Sequence, residues 1–198
     1  GLEIEVWRIG ESALAPKFNI VSKPNDWSRG VARSASRIGR TELTEAKQLQ
    51  LDFWAAFKAF ADEHETLFAV PNTALPQSWL NQGIGRSGFH TVANASLWDS
   101  AANSFSSHEL RAELYLDGIN ANAHFEALEA KRAEITTAMD NADLTWHNPP
   151  DTHARRIYVR QSVDLNDRTR WTDYCAWLVN ELNRFHRVFR PIIRDLEP

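Results

Sequence analysis

The sequence predicts an α+β domain: an antiparallel, meandering sheet with three main helices packed on one face, preceded by a short strand and a linker. Three observations carry this. From His108 to Asp117, the apolar residues Leu110, Ala112, Leu114 and Leu116 alternate with Arg111, Glu113, Tyr115 and Asp117. That period of two marks a half-buried strand with one dry face and one charged, aromatic face. Three longer segments repeat apolar residues every three or four positions, the mark of amphipathic helices. Helices and strands are interspersed as α-β-β-α-β-β-α, and neighbouring strands are close enough in sequence to favour antiparallel pairing.

Each element follows from local chemistry. Leu2, Ile4 and Val6 alternate with Glu3, Glu5 and Trp7, predicting a short strand. Gly10 to Asp26 reads as a polar connector, with Pro16 and Pro24 discouraging helix around them. Trp27 to Arg40 carries Arg29, Arg33, Arg37 and Arg40 without an acid, so it reads as a flexible basic linker or the start of a helix. Thr41 or Thr44 then caps a helix through Ala46, Leu49, Phe53, Phe57, Phe60 and His64, widened by Trp54 and Ala61. These aromatics read as core, not as a cofactor box. Pro71 to Gly88 reads as loop.

Strands follow at Phe89–Trp98 and His108–Asp117, joined by the polar segment Asp99–Ser107. Asp117-Gly118 ends the second strand, and Asn120 caps a helix over Ala121–Met139 with Phe125, Leu128, Ile135 and Met139 inward. Leu144–His147 is a short strand, and Pro149-Pro150 a rigid corner. Ala154–Gln161 is a strand with Ile157 and Val159 inward and Arg156, Tyr158 and Arg160 outward. The third helix runs from Arg170 to Phe189 on a stripe of Trp171, Tyr174, Leu178, Leu182, Phe185 and Phe189; Pro191 ends or kinks it. The chain therefore divides into 1–27, a basic linker at 28–43, and an α+β domain at 44–198.

Composition narrows the function classes. A chain of 198 residues is long enough for one well-buried core, and eight Trp with ten Phe point to a core built from aromatics on helices. The formal charge of −4 excludes a wholesale polybasic nucleic-acid binder but leaves room for local basic patches. Cys175 is the single cysteine, which excludes an internal disulfide and a four-cysteine zinc site and fits a cytoplasmic setting. No apolar run approaches the roughly 18 residues of a spanning helix, and no signal peptide is visible, so no membrane partner is expected. The chain begins inside a strand and its only methionine is Met139, which suggests that a preceding domain is missing.

No catalytic motif emerges. Gly83-Ile84-Gly85-Arg86-Ser87-Gly88 is rich in glycine and carries an arginine, yet it lacks the strand-then-helix setting of phosphate-binding fingerprints; it reads as a turn feeding a strand. Glu109, Glu113 and Asp117 raise the idea of a magnesium centre, which would need a converging lysine. The two Glu-X-Lys matches, Glu45-Ala46-Lys47 and Glu129-Ala130-Lys131, fall on predicted helices and so fail that test. His147 and His153 read as loop and strand-end residues, His186 as partly buried, and Cys175 as a core thiol. No metal and no cofactor is expected.

The outward sheet face is the remaining candidate. Arg111, Tyr115, Arg156, Tyr158 and Arg160, with Arg86 and His90 at one end, could contact phosphates and stack bases. Arg29, Arg33 and Arg37 would add a phosphate-contacting arm. The competing reading of the same alternation is ordinary cross-strand ion pairing.

Three strings add context. Ile84-Gly85-Arg86-Ser87-Gly88-Phe89-His90, Glu113-Leu114-Tyr115-Leu116-Asp117-Gly118 and Phe185-His186-Arg187-Val188-Phe189-Arg190-Pro191 resemble the bacterial family catalogued as domain of unknown function 4268, over roughly Glu45 to Ile193. The resemblance implies that such a domain follows one similar to endonucleases of the PD-(D/E)XK class. Residues 1–27 would then be the tail and connector of that missing domain. The expectation is a non-catalytic accessory domain that assists engagement of DNA or another nucleic acid. The alternative is a protein-interaction or dimerisation module, with a homodimer as its simplest form.

Overall fold

The computed structural model describes residues 2–7, 15–20, 43–150, 152 and 154–196. The chain divides into two units, Gly1–Leu43 and Thr44–Pro198, each taken by itself. In the first unit, β1 (Leu2–Trp7) pairs antiparallel with β2 (Ala15–Ile20). The strand β1 agrees with the alternation, whereas β2 replaces part of the predicted connector. A proline is tolerated in a ribbon where every strand is an edge, which is how Pro16 fits. The predicted arginine arm, Arg29, Arg33 and Arg37, lies outside the described residues.

The second unit holds the sheet. Its strands are β3 (Trp79–Gly83), β4 (Phe89–Ser96), β5 (His108–Leu116), β6 (Thr145–His147) and β7 (Arg155–Val163), in the order β3-β4-β5-β7-β6 and antiparallel throughout. The helices are α1 (Glu45–Asp62), α2 (Ala121–Glu129), α3 (Arg132–Ala138) and α4 (Trp171–Asp195). The α+β class is as the sequence predicts. Leu110, Ala112, Leu114 and Leu116 are fully buried on the inner face, beneath α4 and α2.

Aromatics join the helices to this face. Thr44 caps α1, its hydroxyl accepting from Lys47 N at 3.4 Å. Phe53 meets Trp54 and Trp171 edge-on at 5.2 and 5.5 Å, which locks α1 against α4. The buried Trp54 indole donates to Gln77 O at 2.6 Å, so the loop before β3 is held as well. Cys175 lies in this core, where burial pushes its thiol up to about 12, far from any nucleophilic role.

Four predictions are corrected. The Pro71–Gly88 loop contains β3, whose Asn81 and Gln82 gave no apolar alternation; Gln82 is nonetheless buried on the inner face. The second helix breaks into α2 and α3 with no Gly or Pro at the break; there Lys131 N donates to Leu128 O, tightening the turn. Helix α4 continues through Pro191 to Asp195, because Ile193 is buried and anchors the last turn. The outward face is not simply wet: Glu109, Glu113 and Tyr158 are 1%, 2% and 8% exposed.

Candidate functional site

The register places the predicted residues in rows across the outer face. One row runs Trp79, Asn94, Arg111, Arg160. The next runs Asn81, Val92, Glu113, Tyr158, Thr145, and the third Gly83, His90, Tyr115, Arg156, His147. A final row sets Ser96 beside Glu109 and Ser162. Arg111, Tyr115, Arg156, Tyr158 and Arg160 therefore converge on the two central strands, β5 and β7. His90 is beside Tyr115, and its ring lies 3.5 Å from the Asp117 carboxylate.

Charge ties this cluster together. Arg111 Nε lies 3.1 Å from Glu109 Oε1 and 3.0 Å from Glu113 Oε1, aligned with neither for a straight hydrogen bond. It bridges the two carboxylates by charge. Arg156 reaches the other oxygen of Glu113 at 3.5 Å, and Arg160 the other oxygen of Glu109 at 3.9 Å. Burial pushes the Glu113 carboxyl above its ordinary range, while Arg111 and Arg156 pull it back. The arginines also cross over the tyrosines: Arg111 sits 5.1 Å from the Tyr158 ring centre and Arg156 5.4 Å from that of Tyr115.

This geometry revises two expected roles. Tyr158 is buried with Arg111 over its ring, so it supports the network and does not offer a free stacking surface. Arg86 is not part of the cluster. It sits on the turn between β3 and β4 and donates to Ile193 O and Leu196 O, at 2.8 and 2.6 Å, satisfying carbonyls at the end of α4.

A loop beside β7 adds residues that the sequence reading left out. Asp99 and Ser104 exchange backbone hydrogen bonds at 2.9 and 3.2 Å. The Asp99 carboxylate accepts from the hydroxyls of Ser162 and Ser107, at 2.6 and 2.9 Å, and from the backbone of Ala101 and Ala102. Its hydrogen bond from Ser162, followed by that from Ala102, holds the carboxyl down at about 2. Ser100 donates through N and Oγ to Glu109, and its Oγ accepts from Arg160 at 3.2 Å. This pinned loop presents Phe105, which is 75% exposed and packs edge-on against Trp98 at 4.5 Å. The available sequence signal was Asp99 with small polar residues after it, the pattern of a side chain capping its own turn.

The site offers partly exposed cations to a ligand. Arg156 and Arg160 expose 37% and 39% of their side chains, whereas Arg111 exposes 17%. Among the described residues no group of three His, Cys, Asp or Glu is arranged to hold a metal ion. Also among them, no helix is long and apolar enough to cross a membrane.

Fold and site together define an α+β domain with an arginine-carboxylate network on one sheet face. The family model described as a domain of unknown function (DUF4268) matches residues 49–193, and the chain belongs to that family. No curated protein and no solved structure matches it.

Proposed function

We propose that this is a non-catalytic accessory domain of a nuclease-like bacterial protein, working in the cytoplasm and helping that protein to engage nucleic acid. The observation that supports the reading is the pairing of two half-exposed arginines, Arg156 and Arg160, on one face of β7. Four residues of strand separate them by about 13 Å, a span over which two phosphates of one backbone can be met. Phe105 on the Asp99 loop offers an exposed ring against which a base can stack. Arg111, beneath them, orients the carboxylates that hold the outer arginines.

A second reading, a protein-interaction or dimerisation module, has its own support. Glu109 and Glu113 offset much of the charge on the three arginines, leaving a face of modest positive charge. Fluorescence anisotropy with labelled single- and double-stranded DNA across a salt series tests the first reading. Saturable binding that weakens steeply with salt supports it. A failure to bind at low salt, together with a mass that grows with protein concentration, favours the second.

A further inference from the structure

A separate pocket of about 320 Å³ opens between the β3–β4 turn and the end of α4. Its lining includes Gly85, Arg86, Arg190 and Arg194, with Ile84 and Ile193 as a buried apolar part. The seven lining residues include three arginines and no carboxylate. Gly85 has φ of +102°, a conformation that side chains strain to adopt, and a Cβ there would lie 3.7 Å from Arg190 Nε. The Arg190 head is thus held above the backbone of the turn.

The three cations are not equivalent. Arg86 is engaged by the helix-end carbonyls, and this offsets the negative end of α4 that would otherwise repel an anion. Arg194 shares its Nε with the neighbouring Asp195 at 2.9 Å, in an exposed pair that is weak in water. Arg190 is exposed, and among the described residues no carboxylate pairs with it. An arginine with no counter-ion among the described residues, facing a pocket with a second arginine and an apolar wall, matches one ligand chemistry well.

We propose that this pocket binds a phosphate monoester, with the phosphate between Arg190 and Arg194 and the organic part against Ile84 and Ile193. Arginine's planar fork suits a phosphate's oxygens, and the volume is at the small end of ligand pockets. The ester comes from one of two sources, a free small metabolite or the terminal phosphate of a nucleic acid. The proposal does not depend on the outer sheet face.

The test is titration calorimetry at fixed ionic strength with inorganic phosphate, a mononucleotide, and a short oligonucleotide bearing a 5′-phosphate or a 5′-hydroxyl. Saturable, Arg190-dependent binding is expected, weakened by about tenfold or more in Arg190→Ala. Arg187→Ala, an exposed arginine on the same helix outside the pocket, should leave it unchanged. A preference for the 5′-phosphorylated oligonucleotide, lost in Arg190→Ala, assigns the nucleic-acid source. Mononucleotide binding with no preference between the oligonucleotides assigns the free ester. The proposal is overturned if none of the probes binds saturably, or if Arg187→Ala weakens binding as much as Arg190→Ala.

Discussion

The two faces of the sheet exclude water by different means, although the same strands build both. On the inner face of β5, four apolar residues are fully buried under helices. The polar groups at its centre are neutral: Thr91 Oγ1 lies 2.8 Å from His186 Nε2, and burial holds the His186 ring down at about 4, with Arg190 adding to the effect. The buried Arg155, opposite Leu116 at the end of the strand, donates to the carbonyls of Thr152 and Ala154. On the outer face the buried groups include carboxylates, covered by arginines and by the Asp99 loop. Apolar burial supplies stability directly. Buried ion pairs largely repay their own desolvation and contribute little net. The inner face therefore holds the fold, and the outer face keeps charged groups in a fixed array at small net gain, which suits binding.

The sharpest test of this contrast uses adjacent residues. Leu114→Ala on the inner face should cost about 2–5 kcal/mol in denaturant unfolding. Tyr115→Ala, one position along and facing outward, should cost only about 1 kcal/mol through its lost contact with Arg156. Equal losses would erase the distinction between the faces. Next in size is the loop clamp. Asp99→Asn keeps the shape but cannot accept from all four donors, and should cost about 1.5–3 kcal/mol. Phe105 should then become more mobile in backbone relaxation measurements.

Acid should separate the faces by pH. His186 has a folded value near 4 against an ordinary 6.5, so the unfolded chain takes up its proton first. Its contribution is complete above 6.5 and fades as pH falls toward 4, on the order of 3 kcal/mol. Asp99 has a folded value near 2 against 3.8, so its contribution is complete above 3.8 and fades only as pH falls toward 2. Stability measured against pH should show two windows, and His186→Gln should shrink the upper one while leaving the lower one in place. His124 and His147, also held down by burial, contribute the rest of the upper window. A single step below 4 in the parent chain would contradict this.

The smallest effect on binding concerns the charge of the outer face. Glu113→Gln removes one negative charge from the outer face and relieves a carboxyl whose burial already raises its pKa. DNA binding should tighten, with a steeper salt dependence. Weaker binding would mean that the carboxylate's hold on Arg111 and Arg156 matters more than its charge.

Much of this fold was legible because its signals are local. The β5 alternation and the α4 stripe are each written in consecutive residues, and both elements form there, α4 running on past the predicted end at Phe189 to Asp195. β3 was not legible, since Asn81, Gln82 and Gly83 take their strand state from pairing with β4. The break between α2 and α3 leaves no mark, because Leu128 and Ile135 keep their spacing across it. For the site, alternation gave the side of the sheet but not its exposure. Burial of Glu109 depends on Ser100, and exposure of Phe105 on the clamp from Asp99 to Ser162, which joins residues 63 positions apart. Arg86 illustrates the same limit: its partners are carbonyls 107 and 110 residues away.

The most direct test is anisotropy of labelled DNA against salt for the parent chain and for Arg156→Ala with Arg160→Ala together. Both side chains are partly exposed but face the buried carboxylates of Glu113 and Glu109, so the double variant should lose about 1–3 kcal/mol of stability, and denaturant unfolding checks that it stays folded. The expected result is saturable, salt-sensitive binding by the parent, and weaker binding by the variant with a log-log salt slope reduced by about two. No binding by the parent at low salt, or the same affinity and slope in both proteins, would contradict a nucleic-acid role for the outer sheet face.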